Sequence, residues 1–223
     1  MFIYQNKENS ICITFKDNKP VEFPEYVIEF KDGKLVINGD EITGIEAIKL
    51  EEDLVKEVCT EITSEVIIDL NGYTISNPTD KEGLCVYKVQ EGGKLVINGD
   101  GIIDGTADND YSIALWARGG DIVINGGTIT NEGITGEDEH YDLVYASKGG
   151  IIEINGGTFK AKTPQWTLNN LDSDPGQFIV KGGRFYQFDP SNTKTEPTGA
   201  NNNFVAEGYK VIQDGDWYEV VKA

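Results

Sequence analysis

The chain has 223 residues, of which 19 are Lys or Arg and 38 are Asp or Glu, so its formal net charge is −19. A charge of this sign repels phosphate backbones and anionic lipid headgroups, which excludes nucleic acid and a membrane surface as partners. The 39% hydrophobic content is typical of a folded chain, and the length allows one or two domains. With one Met and one His beside 26 Gly, no cofactor is predicted.

The three cysteines, Cys12, Cys59 and Cys85, are widely spaced and form no CxxC pair. They are predicted to be reduced, buried thiols of a protein made in a cytoplasm. The first residues lack a basic segment followed by an apolar one, so no secretory signal is predicted. No stretch approaches the ~18 apolar residues that a membrane span needs.

Residues 1–60 are predicted to form a β-rich N-terminal attachment domain. Alternating apolar runs at residues 11–15 and 26–30 indicate strands. The run at residues 35–39 resembles the repeat described below, but it lies too far from the next repeat for a regular coil. This stretch is therefore either an irregular first coil or, as favoured here, part of a separate β-rich N-terminal domain. Residues 45–58 are charged, and their pattern fits either a short helix or a pair of strands.

Five segments between residues 66 and 185 align on a turn that contains glycine, at intervals of 26–30 residues. Four of these turns begin with Asn-Gly, and the fifth begins with Lys181-Gly182. An Asn-Gly corner accommodates positive φ, which predicts a sharp bend of the chain at each repeat. The predicted corner residues are Asn71, Gly72, Asn98, Gly99, Asn125, Gly126, Asn155, Gly156 and Gly182.

Apolar residues recur three positions before each turn, one position before it and four positions after it. This period-two alternation predicts two short strands that meet at the corner. Glycine pairs such as Gly119-Gly120 mark a second corner upstream, and a third apolar segment precedes that corner. The predicted columns are Ile68, Leu95, Ile122, Ile152 and Phe178; Leu70, Ile97, Ile124, Ile154 and Val180; and Ile75, Ile102, Ile129, Phe159 and Phe185.

Three short strands per ~27 residues, with like side chains in register, describe one coil of a parallel β-helix. The predicted fold class is all-β: a short right-handed parallel β-helix of about five coils over residues 61–188. A loop and a C-terminal β-hairpin cap follow over residues 189–223, because Asp214-Gly215 lies between two apolar runs. One coil alone cannot offset its conformational entropy, so the coils must stack.

The segment Ile68–Ile75, followed by the motifs VINGGTIT and EINGGTF, resembles the pectin-lyase-like β-helix repeats of bacterial and phage proteins. Residues 183–190, with residues 203–209 and the hairpin at Trp217, are similar to the terminal segment of phage and prophage fibre or capsid-decoration proteins, including head fibres of crAss-like phages. The resemblance implies a non-enzymatic virion protein, often trimeric, that is assembled in a bacterial host cytoplasm and contacts other capsid or fibre proteins.

Many β-helices degrade polysaccharides, so carboxylate pairs were considered as catalytic groups. Asp100 and Asp104 could share one face of a coil, as the two carboxylates of a glycosidase must. The polygalacturonase pattern of Asn-x-Asp, Asp-Asp and Gly-His-Gly is absent. Arg118 and Arg184, the only arginines, occupy different columns, unlike the catalytic arginine and calcium cluster of a pectate lyase. The chain is therefore predicted to have no catalytic residue and not to be an enzyme.

Two acidic pairs, in residues 108–110 and 172–174, supply oxygen atoms of the kind that calcium prefers. Neither pair continues into an EF-hand loop, so Asx turns are the favoured interpretation and no metal site is predicted. His140 is alone in an acidic loop and is assigned no role.

Trp116 lies in an alternating run and is predicted to point away from the core. Other apolar residues occupy outward positions that a solitary β-helix would fill with polar groups, which favours a homotrimer. The predicted subunit-contact face consists of Val96, Trp116, Val123 and Ile179. The favoured function is a structural virion protein attached through residues 1–60. A module that binds host-surface glycan and a small polysaccharide lyase or hydrolase are the alternatives.

Overall fold

The computed structural model describes residues 4–5, 11–12, 28–31, 34–37, 40–41, 45–77, 85–106, 113–137, 140–171, 173–194 and 201–223. Near the N-terminus, β1 (Tyr4–Gln5) pairs antiparallel with β2 (Ile11–Cys12). A separate antiparallel sheet contains β3 (Ile28–Lys31), β4 (Lys34–Ile37) and β5 (Asp40–Glu41).

From Ile45 to Tyr186 the strands follow one another in groups of three, and each complete group forms one coil. Of the described residues, only the 3-10 turn Pro164–Trp166 is helical. The strands are β6 (Ile45–Lys49), β7 (Leu54–Val55), β8 (Thr60–Ile62), β9 (Glu65–Asp69), β10 (Thr74–Ser76), β11 (Cys85–Gln90), β12 (Lys94–Asn98), β13 (Ile102–Asp104), β14 (Ile113–Arg118), β15 (Asp121–Ile124), β16 (Thr128–Thr130), β17 (Val144–Ser147), β18 (Ile151–Ile154), β19 (Thr158–Lys160), β20 (Leu168–Asn170), β21 (Gln177–Val180) and β22 (Arg184–Tyr186).

Equivalent strands of successive coils pair in parallel and form three sheets. Sheet 1 contains β6, β9, β12, β15, β18 and β21; sheet 2 contains β7, β10, β13, β16, β19 and β22; and sheet 3 contains β8, β11, β14, β17 and β20. The predicted all-β, parallel β-helix fold is therefore confirmed.

The solenoid begins at Ile45, inside the range assigned above to the N-terminal domain. The charged segment 45–58 supplies two strands, because β6 pairs with β9 and β7 pairs with β10. The turn-based alignment does not detect this coil, since Lys49 and Leu50 stand where later coils have Asn-Gly or Lys-Gly. The boundary between the two regions thus moves from residue 60 to about residue 45.

The first predicted repeat is out of register with the others. Ile68 pairs with Ile97 rather than with Leu95, and Ile103 rather than Ile102 continues the inner column of sheet 2. The connection from sheet 1 to sheet 2 is longer in the early coils: Ile75 lies seven positions after Ile68 and Ile103 six after Ile97, whereas every later connection spans five. Alignment on the glycine turn therefore misplaces the longer connections. The inner columns are Val66, Leu95, Ile122, Ile152 and Phe178; Ile68, Ile97, Ile124, Ile154 and Val180; and Leu54, Ile75, Ile103, Ile129, Phe159 and Phe185.

The C-terminal end of the solenoid is covered by the predicted hairpin. Four strands follow β22: β23 (Thr193–Lys194), β24 (Asn201–Asn202), β25 (Tyr209–Asp214) and β26 (Trp217–Lys222). β26 pairs antiparallel with both β22 and β25, so the hairpin extends sheet 2. Phe204 packs against Phe178 with ring centroids 4.7 Å apart and accepts a hydrogen bond from the amide of Val180, which covers the last strand of sheet 1.

Cys59 and Cys85 form a disulfide that joins the first coil to the second, with their Cα atoms 5.0 Å apart. The prediction of reduced thiols is wrong for this pair. The two cysteines are 26 residues apart, which is about one coil, so stacking places them on adjacent levels. With Ile113 and Tyr145 they form a small apolar cluster that is separate from the core.

Candidate functional site

The outer face of sheet 1 holds three of the four residues predicted for subunit contact. Val96 is buried, so it is not available for contact. Val123 and Ile179 are half-buried, and Glu153 lies between them and pairs with Lys181 at 2.9 Å. The central column of this face contains Ala47, Ile67, Val96, Val123, Glu153 and Ile179.

Trp116 lies on sheet 3, so it does not belong to the same face as Val123 and Ile179. Its indole N–H donates to Ser147 Oγ at 2.9 Å, and the ring meets the Tyr145 ring edge-on at 5.9 Å between centroids. The Lys88 ammonium lies 4.9 Å from the indole centroid. Side chains of neighbouring coils therefore satisfy the indole N–H and cover part of the ring.

Asparagine side chains stack at the corner between sheet 1 and sheet 2. Asn125 Nδ2 donates to Asn98 Oδ1 at 2.8 Å, and Asn155 Nδ2 donates to Asn125 Oδ1 at 3.0 Å. None of these three residues has positive φ, so they do not serve the corner by a left-handed backbone. They serve it by hydrogen bonding, in which the side-chain amide of Asn125 is both donor and acceptor. Asn71, with φ of 48°, lies beyond this column, where Asp69 is the equivalent of Asn98.

The glycines of the corners serve two different purposes. A Cβ atom on Gly126 would lie 2.9 Å from the carbonyl oxygen of Gly99, and one on Gly156 would lie 2.7 Å from that of Asn125. These glycines, and Gly182 in the same way, allow successive coils to approach closely. Left-handed backbone is instead found at Gly72, Gly99, Gly127, Gly157 and Gly183.

A polar groove of about 430 Å³ follows this corner along the solenoid axis. Its floor is made of corner glycines, and Asp100, Arg184 and Glu219 are the charged residues that line it. Asp100 and Glu219 are separated by four strand steps, about 19 Å at about 4.8 Å per step. That separation exceeds the roughly 5–9.5 Å between the carboxylates of a glycosidase.

Asp104 does not line the groove with Asp100. It ends β13, pairs in register with Ser76 and Thr130, and is half-buried. Burial raises the pKa of its carboxyl group, and its Oδ1 atom has no hydrogen-bond partner among the described residues. Arg118 and Arg184 lie on sheets 3 and 2 respectively, so they do not converge on either carboxylate.

His140, which is predicted to have no role, lies in a cluster of side chains that connects the coil ending in β17 with the coil ending in β20. Its ring stacks on Trp166 with centroids 4.0 Å apart, and its Nε2 lies 3.2 Å from Asp142 Oδ1. Asn169 Nδ2 donates to the same oxygen at 2.9 Å. The feature of the sequence that could have indicated this cluster is the length of segment 131–143, which is the longest connection between consecutive described strands of the solenoid.

Within the described ranges, no three His, Cys, Asp or Glu side chains come together in a way that could hold a metal ion. The acidic residues 108–110 and Asp172 lie outside those ranges. Among the described residues, no helix is long and apolar enough to cross a bilayer. Comparisons with protein-family models, with curated proteins and with solved structures find no match to this chain.

Proposed function

We propose that this chain is a structural protein of a bacteriophage particle, a head fibre or capsid-decoration spike, that is held through its N-terminal region and has no catalytic role. The observation that carries the proposal is that the two ends of the solenoid are covered differently. A hairpin and Phe204 cover the C-terminal end, whereas the N-terminal end continues into further strands and, among the described residues, no strand covers the edge strand β7. A rod that is capped at one end, and can be attached at the other, suits a projection from a surface.

The stacking of the coils makes the rod stiff. Each complete coil is hydrogen-bonded to the next through parallel sheets, and the inner columns are buried except at Leu54 in the first coil. The six strands of sheet 1 span five steps, about 24 Å at about 4.8 Å per step. Such a short rod gains stability by side-by-side assembly, which supports a homotrimer.

The outer face of sheet 1 is the proposed contact surface of that trimer. Val123 and Ile179 are half-buried on it, and Ile151 at its margin is 37% exposed. Light scattering in moderate salt should give a mass near three chains. Val123→Lys and Ile179→Lys should lower that mass, whereas Trp116→Ser, on another sheet, should leave it unchanged. A monomer at micromolar concentration would contradict the trimer.

The assignment to a phage particle is tested on particles themselves. Purified particles from a culture that produces the chain should carry it at their surface, detected by immunogold labelling. Particles without label, with the chain free in the lysate, would contradict the structural function. The absence of catalysis is checked by incubation with pectic and capsular polysaccharides; turnover that is lost in Asp100→Asn or Asp104→Asn would contradict it.

Recognition of a host-surface glycan is the second candidate, favoured by an aromatic pair near the C-terminal end. Tyr186 and Trp217 pack edge-to-face at 5.3 Å, and both are half-buried. Lys160 and Arg184 lie over the Trp217 ring at 5.6 and 4.9 Å. Aromatic rings beside cations suit acidic sugars. A glycan array should then report binding that Trp217→Ala removes and Trp116→Ser does not.

A further inference from the structure

The inner column of sheet 2 ends differently on its two sides. Phe185, next to the C-terminal hairpin, is completely buried, whereas Leu54 in β7 is 40% exposed. β7 is the last strand of the sheet on that side. Val55 and Val58 beside it are 62% and 58% exposed. The apolar column therefore ends at β7 without a covering strand among the described residues.

In the part of the chain that the structure describes, β7 pairs with β10 on one side and with no strand on the other. Lys56 donates its amide hydrogen to the carbonyl oxygen of Ser76 in β10, at 2.7 Å. Because successive residues of a strand direct their peptide groups to opposite sides, Val55 directs its N–H and C=O away from β10. An edge with free peptide groups and apolar side chains is a template for one more strand.

Charge decides which kind of strand fits this edge. Lys56, the one cation in residues 51–58, lies over the ring of Tyr87 at 4.6 Å. A second copy of the chain pairing through this edge would bring the same local acids against it, so self-pairing here is opposed. The exposed acidic residues around β7 are Glu51, Glu52, Asp53 and Glu57.

We propose that β7 is the docking strand for an extended, basic segment of a different protein, which pairs with the open side of Val55 and places an apolar side chain over Leu54. This mode of recognition takes its affinity from main-chain hydrogen bonds and its specificity from alternate side chains. The proposal rests on the structural function proposed above, since it names the surface by which a particle protein holds the N-terminal end.

The test uses the full chain and a short synthetic peptide that alternates Lys and Val. One control peptide alternates Glu and Val, and another has the Lys-Val sequence with every second amide N-methylated, which prevents strand pairing. Fluorescence anisotropy should detect binding of the Lys-Val peptide that weakens as salt is added. Both controls should bind at least about tenfold more weakly.

Variants of the chain locate the binding. Val55→Pro removes the outward amide hydrogen and leaves the bond from Lys56 to Ser76, because proline is tolerated on an edge strand. Leu54→Lys places a charge at the end of the apolar column. Ile212→Lys is the matched control, since Ile212 is 49% exposed on β25, the opposite edge strand of sheet 2. The two β7 variants should weaken binding at least about tenfold, and Ile212→Lys should not.

Circular dichroism and melting temperature check that each variant is folded. Equal binding of the Lys and Glu peptides, an equal effect of Ile212→Lys, or no binding at millimolar peptide would overturn the proposal. A dimer that Leu54→Lys abolishes would also overturn it, because a second copy would then occupy the edge. None of these results affects the immunogold test of the structural function, so the two proposals fail separately.

Discussion

Asp104 is a carboxylate whose surroundings oppose its charge. Burial raises its pKa in the folded protein above the ordinary value of 3.8, so the folded state retains the proton to higher pH than the unfolded state. The contribution of Asp104 to the free energy of unfolding therefore falls as pH rises from below 3.8 through the raised pKa. Above the raised pKa, the fall is complete.

We expect Asp104→Asn to raise the melting temperature at pH 7, because asparagine is neutral and nearly isosteric. The difference from the wild-type chain should vanish near pH 3, where Asp104 is protonated in both states. Asp100→Asn is the control for the substitution itself, since Asp100 is exposed at the corner and its replacement should change the melting temperature little. A variant that is less stable at every pH would show that the Asp104 carboxylate is stabilised by a contact instead.

At the scale of the element, the asparagine column couples three coils outside the apolar core. We expect Asn125→Ala to lower the free energy of unfolding by about 1–3 kcal/mol, because it leaves the Asn98 and Asn155 amides without their shared partner. Urea denaturation measures the change. Gln177→Ala, an exposed residue of the same sheet, should change it by less than about 0.5 kcal/mol. Equal effects of the two variants would mean that the column adds nothing to stability.

Alternation along a strand gives a sharper comparison. Ile124 is completely buried in the core, and its neighbour Val123 lies half-buried on the outer face of the same strand. Ile124→Asp should cost at least about 3 kcal/mol and abolish soluble folded protein, since the buried charge has no partner. Val123→Asp should keep the strand signal in circular dichroism. Two equally folded variants would contradict the assignment of inner and outer faces.

At the scale of the whole molecule, the disulfide restrains the first coil against the second. Closing a loop of 26 residues corresponds to about 3–4 kcal/mol in the loop-entropy account of disulfides. We expect reduction, or the double change of Cys59 and Cys85 to Ser, to lower the urea midpoint. Thiol titration of the denatured, unreduced chain should find one free thiol among the three cysteines. Three free thiols would contradict the bond.

The sequence by itself determined the fold class, because each coil of three short strands repeats the same order of apolar residues and glycines along the chain. In sheet 1, four of the five repeats stand in the predicted register, and the C-terminal hairpin follows from local turn chemistry at Asp214-Gly215. Local alternation also identifies Val123 and Trp116 as outer residues.

Only the tertiary structure decided the position of the first coil, the burial of Val96 and the pairing of the cysteines. Coil 45–62 lacks the glycine turn, so its place became visible through strand pairing with β9 and β10. Val96 has the pattern of an outward residue, yet its side chain is buried in the folded chain. The pairing of Cys59 with Cys85 depends on which coil stacks on which. Each of these depends on contacts between residues far apart in the chain, whereas periodicity reports only the direction of a side chain from its own strand.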